Sequence, residues 1–141
     1  MKINLIRLDD NFHMEASNED GSTLSMDGSP DIGGQNKGMR PMQLLLAAAG
    51  GCSAIDVILI LKKQKQVIRK FEVEVDGKRE KVDDYSLFKD ICLHFKMEGE
   101  IDPMKAEKAI QLSLEKYCSV AKTLEPTAKI TYKLTIENGA A

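Results

Sequence analysis

The chain has 141 residues, a formal net charge of −2 at pH 7, 43% hydrophobic residues and 30% charged residues. This composition is typical of one ordinary globular domain, and it excludes the strongly basic surface of a nucleic-acid-binding protein. The three cysteines are an odd number, which argues against a secreted disulfide framework. Because the N-terminal apolar run is short and no membrane span of about 20 apolar residues is evident, we expect a cytoplasmic protein without a membrane partner.

The first 40 residues predict short strands followed by a loop. Residues 2–8 alternate polar and apolar side chains, and two shorter runs near 12–16 and 23–26 are bounded by turn residues. This pattern predicts a three-stranded antiparallel meander over residues 2–28. Residues 28–40 contain four glycines and one proline, which predicts an irregular loop.

A long helix is predicted over residues 41–66. Pro41 suits its first turn, where the missing N–H leaves no hydrogen bond unmade. The sequence that follows is apolar on nearly every side, so we expect a helix buried all round, with a partner subunit helping to cover it. The pair Gly50-Gly51 predicts a kink or a close backbone approach just before Cys52.

The last part of the chain predicts strands, a helix and a final strand. The predicted elements are strands at 68–79 and 87–97, a helix from Asp102-Pro103 to about Tyr117, a short helical piece at 119–124 and a strand at 128–136. This order of elements favours an α+β fold with mostly antiparallel sheet.

Two cysteines, each followed directly by serine, are the strongest candidates for chemistry. Cys52 lies within the long helix, and Cys118 lies where one helical piece ends and another begins. A helix N-terminus stabilises a thiolate through its free N–H groups, which favours a reactive Cys118. Simple packing in the core is an equal alternative for both. Cys92 is expected to be an incidental thiol on the polar face of a strand.

The other chemistry-bearing residues are expected to be structural. His13 and His94 lie on predicted strands with no nucleophile at a matching spacing. Tyr117 is expected to pack in the core, with a place in the wall of a pocket beside Cys118 as the alternative. Asp56 shares a helix face with Cys52 and is expected to serve as a hydrogen-bonding group. The sequence contains no Walker loop, dinucleotide-binding fingerprint or zinc-ligand spacing, so no metal is expected.

Two longer strings resemble a known family. The string RPMQLLLAAAGGCSAIDV at 40–57 and the string EKYCSVA at 115–121 are similar to the OsmC/Ohr family of osmotically induced and organic hydroperoxide resistance proteins, in particular its YhfA-like subgroup. The resemblance implies an OsmC-like fold, with antiparallel sheets packed around a long buried central helix in an intertwined homodimer. One domain would cover residues 1–141: strands and a glycine-rich loop at 1–40, the helix at 41–66, and the remaining elements at 67–141.

The resemblance also implies an activity. Cys52 matches the family's peroxidatic cysteine and Cys118 its resolving cysteine, so the implied function is thiol-dependent reduction of organic hydroperoxides in oxidative-stress defence. No cofactor is implied, and a dithiol or lipoyl-type reductant would restore the thiols.

This sequence departs from the family at two activating residues. The region where the family has an arginine reads SNEDG at 17–21, and the place of its glutamate is taken by Met42-Gln43. Lys37, Arg40 and Gln43 are therefore the candidates for activation and substrate contact. Two alternatives stay open: a non-catalytic dimer that binds an apolar ligand, and a redox sensor that uses the same two cysteines.

Overall fold

The computed structural model describes residues 1–138. Its elements are β1 (Ile3–Arg7), β2 (Met14–Asn18), β3 (Thr23–Met26), α1 (Pro41–Lys63), β4 (Val67–Lys81), β5 (Ser86–Glu100), α2 (Pro103–Leu112), α3 (Ser119–Leu124) and β6 (Lys129–Asn138). The chain divides into two units, Met1–Leu45 and Leu46–Ala141. The single domain that the sequence suggests over residues 1–141 stays a prediction.

The predicted meander is present in the N-terminal unit. Strands β1, β2 and β3 form an antiparallel sheet in that order. The glycine-rich loop that follows is organised by the buried Asp27, whose carboxylate accepts the backbone N–H groups of Gly28, Gln35 and Lys37 at 2.8, 3.1 and 3.1 Å. One buried side chain therefore fixes a loop that carries little apolar sequence of its own.

Helix α1 begins as predicted and ends earlier than predicted. The side chain of Gln43 accepts the backbone N–H of Arg40 at 3.0 Å, which is half of a capping box. The helix ends at Lys63 rather than at residue 66, because Lys65 adopts a left-handed backbone conformation with φ of 59°.

One protomer buries one face of α1, so the expected burial on all sides with the help of a partner subunit stays a prediction. Its buried residues form one stripe at helical spacing: Ala49, Gly50, Ser53, Val57 and Leu61. Ile55 and Leu59, which point away from that stripe, are 69% and 51% exposed. One protomer therefore covers one face of an apolar helix and leaves another apolar face uncovered.

The close backbone approach predicted at Gly50-Gly51 is found at Gly50. A Cβ added to Gly50 would lie 2.8 Å from Cγ2 of Val75 in β4, whereas one added to Gly51 would meet nothing within 4 Å. Gly50 therefore lets α1 lie directly against β4, two residues before Cys52.

The expectation that no apolar stretch is as long as a membrane span is corrected by α1. Among residues 1–138 it is the one helix long and apolar enough to cross a membrane, with a mean hydropathy of 2.3. This result rests on length and composition only, and the core helix of a soluble protein meets the same criteria.

The C-terminal unit contains a mixed sheet in the order β4-β5-β6. Strands β4 and β5 pair antiparallel, whereas β5 and β6 pair in parallel from Asp90–Lys129 to Gly99–Asn138. Three of the four strand pairs within residues 1–138 are antiparallel, as the mostly antiparallel expectation requires, and the pair β5–β6 is the parallel exception. It arises because α2 and α3 form a crossover that returns the chain to the end of the sheet where β5 starts.

The core of this unit lies on one face of β5, as the alternation predicts. Ile91, Leu93, Phe95 and Met97 are at most 2% exposed. The rings of Phe71 and Phe95 pack edge to face with centroids 6.1 Å apart. The opposite face carries charged residues, including a 3.5 Å ion pair between Lys96 and Glu74.

The helical segment after β5 is interrupted before Cys118. The side chain of Asp102 accepts the N–H of Met104 at 2.9 Å, which confirms the predicted N-cap of α2. Helix α2 ends at Leu112, and Ser113–Tyr117 form one wide turn of π-helix rather than a continuation to Tyr117. The backbone N–H of Cys118 then donates to the carbonyl of Ser113 at 2.7 Å, and α3 begins as predicted.

Candidate active site

The fold brings Cys52 and Cys118 together. The Sγ atoms of both cysteines and one carboxylate oxygen of Asp56 all lie within 4.8 Å of one another. Cys52 and Asp56 are contributed by one face of α1, and Cys118 by the junction between the π turn and α3. All three atoms are also metal-ligand types, and this is the group within residues 1–138 that could hold a metal ion.

The two thiols differ in their access to solvent. Cys118 is fully buried, with 0% of its surface exposed, whereas Cys52 is half-buried. A small molecule arriving from solvent therefore reaches Cys52 first. Disulfide formation requires the two sulfurs to approach to about 2.05 Å, so a modest movement of one side chain or turn separates the reduced arrangement from a disulfide.

The pKa of Cys118 differs from the expectation for a thiol at a helix N-terminus. Its Sγ does accept the backbone N–H of Ala121 at 3.4 Å, as the N-cap of α3. Burial nevertheless raises the pKa of this thiol from 9.0 to about 11, helped by the hydrogen bond with Cys52 and by the nearby charges of Cys52 and Asp56. Cys118 is therefore a neutral thiol at neutral pH.

This shift predicts a loss of stability at alkaline pH. Below about pH 9 the thiol is protonated in both folded and unfolded chains. Between 9.0 and about 11 the unfolded chain releases its proton first, so the free energy of unfolding falls with rising pH, by about 2 to 3 kcal/mol in total. Urea unfolding between pH 8 and 11, with a reductant and a chelator, measures the effect. In the Cys118→Ala variant, the free energy of unfolding is expected to lack this part of its fall with pH. If the plots of unfolding free energy against pH were parallel for the two proteins, Cys118 would not be the source of the effect.

A buried chain of hydrogen bonds joins the two cysteine-bearing elements. The hydroxyl of Ser113 donates to Oδ2 of Asp56 at 2.9 Å, and the hydroxyls of Ser53 and Ser113 are 2.9 Å apart. Because Ser113 has a single proton to give, Ser53 donates to Ser113 in turn. The hydrogen-bonding role predicted for Asp56 is thus present, but the contribution of Ser53 and Ser113 was missed. An apolar helix carrying a serine beside Cys52 was the available signal.

An open pocket of about 610 Å³ lies beside this cluster. It is lined by Asp56, Leu59, Ile60, Lys63, Gln64, Leu112 and Tyr117. Tyr117 is 51% exposed in this chain and borders the pocket, which is the alternative to the packing in the core that the sequence favoured. A second cavity of similar size lies on the charged outer face of the sheet, lined by residues that include Lys70, Glu72 and Lys96.

The remaining cysteine and the two histidines lie outside the thiol cluster. Cys92 is half-buried on β5, opposite Asp76 and Thr131 on the neighbouring strands. His13 pairs with the hydroxyl of Ser25 at 3.2 Å, and His94 pairs with that of Thr135 at 2.8 Å. These contacts fit the structural roles expected for both histidines.

The three activation candidates belong to the N-terminal unit, Met1–Leu45. The ammonium group of Lys37 lies 3.4 Å from a carboxylate oxygen of Asp9. The guanidinium of Arg40 donates to the carbonyl of Gly38 at 3.1 Å and to the side chain of Asn36. Gln43 caps α1 as described above. Their role in activating a thiol stays a prediction.

Comparison with known proteins identifies the family. The sequence profile of the OsmC-like protein family matches residues 34–133. The chain belongs to the OsmC-like family. It is 39% identical over 117 residues to Protein YhfA of Escherichia coli K12, covering 82% of this chain and 84% of that protein.

Solved structures share the OsmC-like fold. A hypothetical protein from Aquifex aeolicus VF5 superposes with a TM-score of 0.84 at 27% identity, covering 99% of this chain and 97% of the other. An organic hydroperoxide resistance protein OsmC from Legionella pneumophila superposes with a TM-score of 0.70 at 18% identity, covering 95% of each chain. The α+β, OsmC-like fold expected from the sequence is therefore confirmed.

Proposed function

We propose that this OsmC-like protein reduces organic hydroperoxides, with Cys52 as the peroxidatic thiol and Cys118 as the resolving thiol. The observation that carries the proposal is the approach of the two Sγ atoms to within 4.8 Å, although the residues are far apart in sequence. The difference in burial supports the assignment of roles, because the half-buried Cys52 is the thiol that a substrate reaches. The organic hydroperoxide resistance protein of the same fold supports the substrate class.

The proposed reaction oxidises Cys52, then forms a disulfide with Cys118, and ends with reduction of that disulfide. The Cys52 thiolate attacks the outer oxygen of the hydroperoxide, the O–O bond breaks, and the alkoxide takes up a proton and leaves as an alcohol. Cys52 is now a sulfenic acid. The sulfur of Cys118 attacks the sulfur of Cys52, and the hydroxyl group leaves with the proton of Cys118 as water. A dithiol or lipoyl-type reductant then reduces the disulfide by thiol–disulfide exchange, with no other cofactor.

The pocket beside the cluster supports an organic substrate. Leu59, Ile60 and Leu112 give it apolar walls, and Asp56 links it to the two sulfurs. An apolar wall gains free energy by covering a hydrocarbon group and gains none from hydrogen peroxide. The charged cavity on the outer face of the sheet offers no thiol.

A homodimer is part of the same proposal. The exposed apolar face of α1, which includes Ile55 and Leu59, is the kind of surface that a second copy would cover.

The charges acting on Cys118 come from Cys52 and Asp56 and are negative when ionised. A cation is needed to favour the Cys52 thiolate, and Lys37 and Arg40 are the proposed sources. We place the protein in the cytoplasm, where a dithiol reductant is at hand.

Turnover in the presence of a dithiol tests the function. Reduced protein with dihydrolipoamide is expected to consume cumene hydroperoxide faster than hydrogen peroxide, because the apolar pocket binds the aromatic group. Loss of peroxide and appearance of cumyl alcohol are followed by chromatography. Equal consumption with and without protein would overturn the proposal.

The pocket also supports a second candidate, a non-catalytic dimer that binds an apolar ligand. Its volume of about 610 Å³ is sufficient for a small organic molecule. Native mass spectrometry of the purified protein separates the candidates. A bound apolar ligand together with thiols that do not react with hydroperoxide would favour binding over catalysis. Slow turnover with a large change in protease sensitivity on oxidation would favour a redox sensor.

A further inference from the structure

We propose that the reduced pair Cys52 and Cys118, together with Asp56, forms a binding site for one thiophilic divalent cation of the Zn²⁺ class. The site uses two sulfur ligands and one carboxylate oxygen and leaves a fourth position for water. It goes beyond hydroperoxide reduction, because metal binding needs no oxidant and no turnover.

The geometry of the cluster fits such an ion. A tetrahedral Zn²⁺ lies about 2.3 Å from each sulfur and about 2.0 to 2.2 Å from a carboxylate oxygen, so two bound sulfurs are about 3.8 Å apart. The three candidate atoms already lie within 4.8 Å of one another. Side-chain adjustments of about 1 Å or less are therefore enough to place all three around one ion.

Hydrogen bonds already orient two of the three ligands. Ser113 donates to Oδ2 of Asp56 at 2.9 Å and leaves the other carboxylate oxygen free of that contact. The N–H of Ala121 donates to Sγ of Cys118 at 3.4 Å. In known metal sites, groups that hydrogen-bond to the ligands hold them in the orientation that binds the metal and support their anionic forms. The buried serines are expected to orient the Asp56 carboxylate in the same way.

The ligand types of the cluster favour a thiophilic cation. Two sulfurs and one carboxylate oxygen are ligands that Zn²⁺ takes in proteins. The sequence showed no metal site because its ligands are spread over positions 52, 56 and 118, and folding brings them together.

Metal binding and disulfide formation exclude one another, because both use the same two sulfurs. Oxidised protein is therefore expected to release the ion, and a bound ion is expected to slow oxidation of Cys52 by hydroperoxide. Reduced protein would then hold the metal until an oxidant removes the ligands.

The test uses Zn²⁺ and Cd²⁺ on reduced, chelator-treated protein. Competition with a chromophoric chelator measures Zn²⁺ affinity, and the ultraviolet sulfur-to-cadmium charge-transfer band reports thiolate ligands. We expect one ion per chain with two thiolates. Cys118→Ser and Cys52→Ser are each expected to weaken binding more than 100-fold, Asp56→Asn more than 10-fold and Ser113→Ala about 10-fold. Circular dichroism shows whether each variant folds. If one of the two cysteine variants does not fold, the other still tests the site.

Cys92→Ser provides the matched control, since Cys92 lies on β5 outside the cluster, and its Zn²⁺ affinity is expected to equal that of the wild type. The proposal is overturned if reduced wild-type protein binds no Zn²⁺ at micromolar concentration. It is equally overturned if Cys92→Ser weakens binding as much as Cys118→Ser, or if disulfide-bonded protein binds as tightly as reduced protein. These measurements involve no peroxide, so their outcome is independent of the proposed reductase activity.

Discussion

Replacing Cys52 with serine is expected to lower dithiol-dependent consumption of cumene hydroperoxide on the order of 10³-fold or more. Cys52 is the half-buried thiol of the cluster, and a serine hydroxyl at neutral pH is not ionised and does not attack an O–O bond. Removing the nucleophile of a covalent mechanism removes the whole chemical step. The rate is measured by chromatography of peroxide and alcohol with dihydrolipoamide in excess.

Two other variants show whether the loss is specific. Cys92→Ser keeps a serine substitution of the same kind on β5, away from the cluster, and is expected to retain wild-type turnover. Cys118→Ser is expected to lose turnover but to keep the first oxidation of Cys52, so that dimedone traps the sulfenic acid. Undiminished turnover by Cys52→Ser would contradict the assignment of the peroxidatic thiol.

Replacing Ile55 with glutamate is expected to weaken the proposed homodimer by more than 100-fold. Ile55 is 69% exposed in one protomer and lies on the apolar face of α1 opposite the buried stripe. A carboxylate on a surface that a second copy covers loses its water without gaining a partner, at a cost of several kcal/mol. Sedimentation velocity over a range of concentrations measures the association.

Met104→Glu is the control for this substitution. Met104 is 82% exposed and lies on α2, outside the face formed by α1, so its variant is expected to dimerise like the wild type. A wild-type protein that stays monomeric at high concentration would contradict the homodimer. An Ile55→Glu variant that dimerises normally would show that this face of α1 is not the interface.

Most of the secondary structure could be predicted from local patterns. Alternation along β5 identified the buried face, because successive side chains of a strand point to opposite sides of the sheet. The aspartate-proline pair at 102–103 identified the start of α2. The aspartate side chain accepts a free backbone N–H of the first helical turn, and the proline has no N–H that needs a partner. These features depend on neighbours in sequence, and sequence patterns report them directly.

One of the features that were missed depends on partners distant in sequence. The parallel pairing of β5 with β6 follows from the path of the crossover between them, which no strand pattern encodes. The left-handed Lys65 and the π turn at Ser113–Tyr117 were likewise missed. The apolar sequence of α1 predicted burial without specifying how much of it one protomer provides.

The structure brings together the two cysteines that the family resemblance selected, whereas their catalytic roles stay a prediction. Family resemblance selected Cys52 and Cys118, but their separation depends on how α1 and the π turn pack. The position of Cys118 at a helix N-terminus predicted a lowered pKa for its thiol. Burial and the interactions with Cys52 and Asp56 outweigh the single Ala121 N–H and raise that pKa to about 11. Ser113, which hydrogen-bonds both Ser53 and Asp56, had no signal of its own in the sequence.

Peptide mapping shows whether Cys52 and Cys118 of the same chain act as one redox pair. Fully reduced, metal-free protein is treated with one equivalent of cumene hydroperoxide, and its peptides are mapped without reduction. We expect loss of two hydrogens per chain and a single disulfide that joins Cys52 to Cys118, with Cys92 still alkylatable after unfolding. Free Cys52 and Cys118 thiols after treatment, or a disulfide that joins Cys52 to Cys92, would contradict this pairing.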